Sequence, residues 1–568
     1  MKNNNLKICL FICMFLMVGC VSAREHYIPD ILYGDYISDD FIFYPGDLIL
    51  YVSGVFFDVP DTTVNSTVNI RGVVPEVAAY YFRGRNIIIN IANRQKNTTE
   101  TFVTNFTPTI FFEGIFNLSY TPKNPGEYTV TAYLENLGSN EVKFNVRDNE
   151  VYVIEVYVSN SGNDENSGTM EDPVQNLKRA VELVNDGGTI EVLSDLNVWH
   201  ETVNVSKNVT IRSKTDKKTV YAYDCQIFNM DPNVKVNVTI SNLKLTNGYS
   251  MTSGGAIFNN GSDLNLYDCV IDSSTASNGD GGGVFITGGG ISHIVSCSFT
   301  NNRASNRGGG ISITNTNTRC YISDCNFTSN RASSGGGLHS GQNNHPPIFN
   351  CNITNNHAEL NGGGVYVNKG MGNFTQCNIS NNDASDGGGV NINEGVADFL
   401  DCNITFNSAS DGGGVSIVYG TGDITACEVS RNNAVYGGGI KNGRADYYHG
   451  FCTIGASNLR YNAASYGGGI YNDNTGDLKV ISLDTPDIKN KRTSLYYNKA
   501  GKYGGGIYDN HGKLFFNGTS IHYNSVPEDH GLEGGGISSF SSEVRVMFDD
   551  QSINHMSDNT PHDFEWLV

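Results

Sequence analysis

Residues 377–390 read CNISNNDASDGGGV, residues 402–415 read CNITFNSASDGGGV, and residues 427–440 read CEVSRNNAVYGGGI. A Cys, an Asn five residues on and a Gly triplet return in the same order each time. Composition alone does not produce a fixed order, so the chain repeats a structural unit. Positions i and i+2 of a strand face the same side, and each marker Cys is followed two residues later by an apolar residue such as Ile379 or Ile404. The unit therefore contains a short strand with one inward face, and its glycines supply dihedrals that other residues resist.

Working outward, Gly-Gly-Ala occupies 254–256, and triplets begin at Gly281, Gly308, Gly335, Gly362, Gly387, Gly412, Gly437, Gly467, Gly504 and Gly534. The Cys marker runs through Cys269, Cys297, Cys325, Cys351, Cys377, Cys402, Cys427 and Cys452. The Asn marker runs through Asn302, Asn330, Asn356, Asn382, Asn407, Asn432, Asn462, Asn498 and Asn524. Strands stacked in register lie about 4.8 Å apart, so identical residues of successive coils sit above one another and Asn side chains bond along the stack. These spacings predict a right-handed parallel β-helix over 193–545, a rod roughly 50 Å long or more, with residues 546–568 as a C-terminal tail or cap. The longer intervals place inserted loops near Arg444–Phe451 and Asp477–Arg492.

A solenoid's first coil exposes a sheet edge and an apolar end, so it needs a cap. Residues 156–192 supply one: a strand, a helical pattern with Leu177, Ala180, Val181 and Val184 on one face, and a second strand at Thr189–Val192. Residues 25–150 lack the repeat and alternate apolar runs with Gly, Asn and Pro, a β-sandwich pattern. Within them PGEYTV (125–130) followed by VKFNV (142–146) is similar to the last strands of an immunoglobulin-like domain, with Tyr128 near a corner position.

At the N-terminus Lys2, Lys7, an apolar run from Ile8 to Gly19 and Val21-Ser22-Ala23 form the layout of a secretory signal peptide, 1–23. Val18-Gly19-Cys20 also resembles a lipoprotein cleavage box, which would make Cys20 a lipid anchor. The apolar run is shorter than a membrane span, and no second one follows. The expected location is extracellular or cell-surface. A net charge of -21 without a Lys/Arg stripe argues against nucleic acid as a partner.

Gly-Gly-(Ala/Gly)-(Ile/Val) paired with Phe/Ile-x-x-Asn, as in Gly254–Ile257, Phe299–Asn302 and Phe327–Asn330, resembles the repeats of polymorphic outer-membrane proteins and of adhesin-like surface proteins of methanogenic archaea. The resemblance spans about 156–540 and implies a pectin-lyase-like β-helix. It implies function only loosely, because adhesins and polysaccharide lyases share that fold. No C-terminal barrel follows, unlike in the autotransporter type.

Two tyrosine tracks mark the C-terminal coils. The residue before the triplet becomes Tyr436, Tyr466 and Tyr503, and the residue before the marker Asn becomes Tyr461, Tyr497 and Tyr523. Either they tighten the last coils or they stack sugar rings. Asp383, Asp386 and Asp411 gather on turns of neighbouring coils, with Arg303, Arg307 and Arg331 a few coils earlier. A polysaccharide lyase needs carboxylates for calcium and a basic residue to take a proton, so this is the best enzymatic reading and the one metal reading; solvated turn residues are the plainer alternative. The Cys column reads as small wall residues, since it holds no Cys-x-x-Cys pair and its one close couple is Cys320 with Cys325, or as disulfides between sulfurs one coil apart, a spacing within the permitted Cα range. Sequons are many, among them Asn326, Asn352, Asn378 and Asn403, but several follow automatically from the Asn after each Cys. These features favour an adhesin-like protein that binds glycans or a partner surface, ahead of a polysaccharide-cleaving enzyme or a structural envelope protein.

Overall fold

The computed structural model describes residues 56–147, apart from 59–61, 75–85, 106, 109–113, 135–136 and 139–140. It also describes residues 153–566, apart from 231–232, 316, 343, 445–448, 484–491, 528–533, 541–543, 548–554 and 561. The expected signal peptide and Cys20 lie outside the described residues. The chain divides into two units, 1–152 and 153–568.

One coil shows the plan of the second unit. Its first strand is Val284–Thr287, its second Ile291–Val295, its third Ser298–Thr300, and a short fourth, Arg303–Ala304, leads to the triplet at Gly308. Each pairs in parallel with its counterpart one coil on: Val284 with Ile311, Ile291 with Arg319, Ser298 with Asn326 and Arg303 with Arg331. The third strands form a 14-stranded sheet, which at about 4.8 Å per strand spans roughly 60 Å. First and second strands join into a 27-stranded sheet, since Val390–Leu400 and Val415–Thr425 run through the corner between them. This is the expected right-handed parallel β-helix, and its inward side chains form one continuous core from Val156 to Ile537.

Both ends of the third strand turn on a left-handed residue, as at Ser296 (φ 54°) and Asn301 (φ 57°). Such a turn leaves the next N–H without a strand partner, and the side chain one coil further on accepts it. Asn302 N–H donates to Asn330 Oδ1 at 3.0 Å, and Asn302 Nδ2 donates to Asn330 Oδ1 (3.0 Å) and to Ile271 O (2.9 Å). The pattern repeats down to Asn524 and ends on Asn559.

The Cys column performs the same task at the other corner. Cys269 N–H donates to Cys297 Sγ at 3.4 Å, and Cys297 Sγ bonds Val295 O at 3.3 Å. The sulfurs therefore do more than line a wall. Ser457 takes over after Cys427, accepting its N–H at 3.0 Å because a hydroxyl meets the same need, and Thr493 follows in the same row with its hydroxyl on Ile454 O at 3.4 Å. Cys452, read from sequence as a column member, is not one. It lies in the second strand Gly450–Gly455, paired with Gly422 and Leu478, and shares a core-facing row with Cys320. Extra residues ahead of Gly450 shift the spacing, so the 25-residue step from Cys427 lands on the wrong sheet. The ten described cysteines are buried and unpaired. The Cys297 sulfur and then burial push the Cys269 thiol well up, and burial does the same to Cys320 and Cys452.

Three further boundaries differ from the sequence reading. Gly476–Ile481 is strand, paired with Gly450–Gly455, so the second insertion begins after it. Likewise Gly450–Gly455 takes the end of the first insertion into strand. The segment read as a tail or cap, 546–568, contributes most of a last coil: Val544–Met547, His555–Ser557 and His562–Trp566 pair with the coil before. At the other end, Leu177–Leu183 is helical and buries Leu177, Ala180 and Val181, while Glu155–Val158 and Gly188–Val192 already belong to the main sheet.

The first unit is a β-sandwich. Val68–Val74 and Gly114–Tyr120 pair in one sheet, Asn86–Asn93, Gly126–Leu134 and Val142–Arg147 in the other, and Ile70, Phe116, Ile89, Val130 and Phe144 share one core. Tyr128 is buried and donates its hydroxyl to Asn124 O at 2.8 Å, the corner role its position suggested.

One buried group makes stability pH-dependent. His339 lies inside, with Nδ1 on Ser312 Oγ at 2.9 Å and Nε2 without a protein partner. Burial first, then the Arg307 charge, hold its pKa down to about 3. Between about 6.5 and about 3 the unfolded chain binds a proton there and the folded chain does not, so this contribution is lost as pH falls through that window. Urea unfolding midpoints of wild type and His339→Ser should diverge by up to about 1.4 kcal/mol per pH unit below pH 6.5, with the variant less sensitive to acid. Parallel profiles would show that His339 is not the responsible group.

Candidate functional site

The left-handed residue before the ladder Asn is outward-facing, and small polar residues tolerate it best. The first coils comply with Ser273, Asn301, Ser329, Asn355 and Asn381. The next five do not: Phe406, Arg431, Tyr461, Tyr497 and Tyr523 sit at φ 55–57° in the same place. Phe406, Tyr461, Tyr497 and Tyr523 are 49%, 44%, 45% and 47% exposed, so core packing does not explain them.

These residues form a ridge along the rod. The Arg431 guanidinium lies 5.2 Å from the Phe406 ring and 5.7 Å from the Tyr461 ring. Tyr461 stacks on Tyr497 at 5.3 Å and Tyr497 on Tyr523 at 5.2 Å, with ring planes within 12°. The ring faces are thus turned towards one another, and the ridge offers edges, hydroxyls and a guanidinium rather than a row of open faces. A second row runs beside it. Arg460 Nε bonds Glu428 Oε1 at 2.6 Å, a contact that raises the Arg460 pKa, and Tyr496 stacks on His522 at 5.4 Å.

A cleft of about 300 Å³ opens on the same strands, lined by Asp401, Asn403, Glu428, Asn458 and Arg492. Glu428 lines the cleft in register with Asn403 and Asn458, and its side chain reaches Arg460 of the second row. The combination suits hydrogen bonding to a polyhydroxylated chain lying along the rod, with carboxylates and an arginine at one end.

The other tyrosine track is different. Tyr436 stacks on Tyr466 at 5.1 Å and Tyr466 on Tyr503 at 6.0 Å, but Tyr503 also stacks on the buried Tyr508, and Tyr471 meets Tyr436 edge-on. Tyr466 hydroxyl bonds Lys502 Nζ at 3.0 Å. Tyr466 and Tyr503 are half-buried, so this track packs over the first strands and covers them.

The charged candidates separate. Arg303, Arg331, His357 and Asp383 follow one row of short strands, where His357 Nδ1 meets Asp383 Oδ2 at 2.8 Å. Arg307, Asp386 and Asp411 belong to the other row, before the triplets. Asp411 pairs with Lys441 at 2.9 Å, while Asp386 Oδ1 is sealed from solvent and burial raises its pKa. The three carboxylates therefore do not converge, and among the described residues no three His, Cys, Asp or Glu side chains are grouped to hold a metal ion. Sequence reasoning missed Phe406, Arg431, the second row and the cleft. The signal for the first two was present: they occupy the position that becomes Tyr461, two coils after Phe406 and one after Arg431.

No family model matches the chain, and no curated protein does. Among solved structures it is similar to the pectate lyase Pel9A, at 13% identity over 72% of this chain and 80% of that one, with a TM-score of 0.25. A rhamnogalacturonan lyase matches at 13% identity over 60% and 84%, with a TM-score of 0.19. The parallel β-helix rests on the strand registers themselves.

Proposed function

We propose that the protein is a secreted, adhesin-like surface protein that binds a glycan along the ridge and cleft of its β-helix. One observation carries the reading: five consecutive coils hold large, exposed side chains at a left-handed position where Ser or Asn is less strained. That strain costs on the order of 1 kcal/mol per residue, and a binding surface explains its retention. Glycan cleavage is the second reading, supported by the two carboxylates, Asp401 and Glu428, in the cleft with Arg492.

The test is glycan-array binding by the purified chain and by Tyr461→Asn/Tyr497→Asn, which installs the residue earlier coils carry. Relief of strain offsets the lost ring stacking of about 0.5–1.5 kcal/mol per pair, so stability should shift by less than about 1 kcal/mol. Binding should fall at least tenfold, the equivalent of about 1.4 kcal/mol. A variant that melts early yet binds normally would mean that the tyrosines only pack. Incubating each array hit with the protein and calcium separates the two readings, since cleavage products would make it an enzyme.

A further inference from the structure

Ring stacks along this rod cover one another's faces, but the first ring of a stack has a free side. Trp199 is such a ring. It ends Leu196–Trp199, the edge strand of the 14-stranded sheet, whose one neighbour in that sheet is Lys218–Tyr223. Tyr223 lies against it with centroids 3.9 Å apart and planes within 11°. Trp199 is nonetheless 56% exposed, which requires that its other face be open.

Polar groups stand beside the pair. His200 and Asp224 follow the two aromatic residues in their chains, both left-handed at φ 52° and 54°, and His200 Nδ1 lies 3.9 Å from Asp224 Oδ2. Glu201 pairs with Lys178 of the cap helix. The His200, Asp224 and Glu201 side chains are all more than half exposed. A flat apolar indole face bordered by such groups matches a pyranose ring, which has an apolar C–H face and hydroxyls at its edge. The Asp224 carboxylate repels an acidic ring, while the charge of Glu201 is offset by Lys178.

We propose that Trp199, backed by Tyr223, is a sugar-stacking subsite for a neutral pyranose ring, with His200, Asp224 and Glu201 bonding its hydroxyls. The proposal rests on the glycan-binding reading and adds a site, at the opposite end of the rod from the ridge, and a charge class.

The probes are cellohexaose and chitohexaose, with hexagalacturonate as the acidic counterpart, read by tryptophan fluorescence and by calorimetry on the full chain. At least one neutral probe should change the fluorescence saturably and hexagalacturonate should not. Trp199→Ala should remove the change and weaken binding at least about tenfold, while Trp199→Phe should stay within about threefold of wild type. The subsite is overturned if neither neutral probe perturbs Trp199, if Trp199→Ala binds as wild type does, or if the acidic probe binds there preferentially. Array binding that survives Trp199→Ala but not Tyr461→Asn/Tyr497→Asn would sink the subsite alone. Wild-type protein that binds no glycan on the array would sink both readings.

Discussion

Gly413→Ala is expected to destabilise the rod by more than about 3 kcal/mol, or to prevent folding, because an added Cβ would strike the next coil. It would lie 2.5 Å from Gly438 O, 2.6 Å from Asn433 O and 2.8 Å from Asn433 N, all backbone atoms. Backbone of a neighbouring coil moves only if the coils separate, and separation breaks the parallel pairing on both sides. Gly501→Ala is the control: its Cβ would approach nothing closer than 3.6 Å, and its unfolding midpoint should stay within about 0.5 kcal/mol of wild type. Equal midpoints for the two variants, measured by circular dichroism in urea, would refute the steric argument.

Asn407→Ala is the second large effect. Asn407 Oδ1 accepts Asn382 N–H at 2.9 Å and Asn382 Nδ2 at 3.0 Å, and its own Nδ2 donates to Ile379 O at 2.9 Å and Asn432 Oδ1 at 3.1 Å. Truncation leaves the buried Asn382 N–H without its acceptor, at about 1–3 kcal/mol, and breaks three further ladder hydrogen bonds at about 0.5–1.5 kcal/mol each, so a loss on the order of 3–5 kcal/mol is expected. Amide exchange at Asn382 should quicken well beyond that of residues in distant coils. Exchange that rises evenly through the rod would instead place the loss in global stability rather than at the ladder.

The coil was legible in sequence at the level of its markers. The Gly triplet and the inward Asn each carry a local backbone requirement that one coil states without its neighbours, whereas the left-handed turns at Asn301, Asn355 and Asn381 emerge only in the structure. Cys452 shows where that legibility stops. Its spacing fits the column, but residues inserted before Gly450 move it to another sheet, and only the register with Gly422 and Leu478 reveals this.

The candidate site was legible in half. Tyr461, Tyr497 and Tyr523 stood out by position, and so did Tyr436, Tyr466 and Tyr503, with nothing in their spacing to rank them. The structure separates the tracks because Tyr471 and Tyr508 lie under one, whereas Tyr461, Tyr497 and Tyr523 of the other stay exposed. Trp199 carried no repeat signal at all; its open face follows from being the first strand of its sheet.

By itself, then, the sequence determined the solenoid, its inward faces and its Asn ladder, because alternation along a strand and the repeat of the Asn and Gly markers are properties of a few consecutive residues. Tertiary structure alone decided which outward side chains are covered, which rings face one another and which carboxylates stay apart. Neighbours along the rod come from successive coils, separated by variable insertions, and their contacts exist only once the coils are stacked.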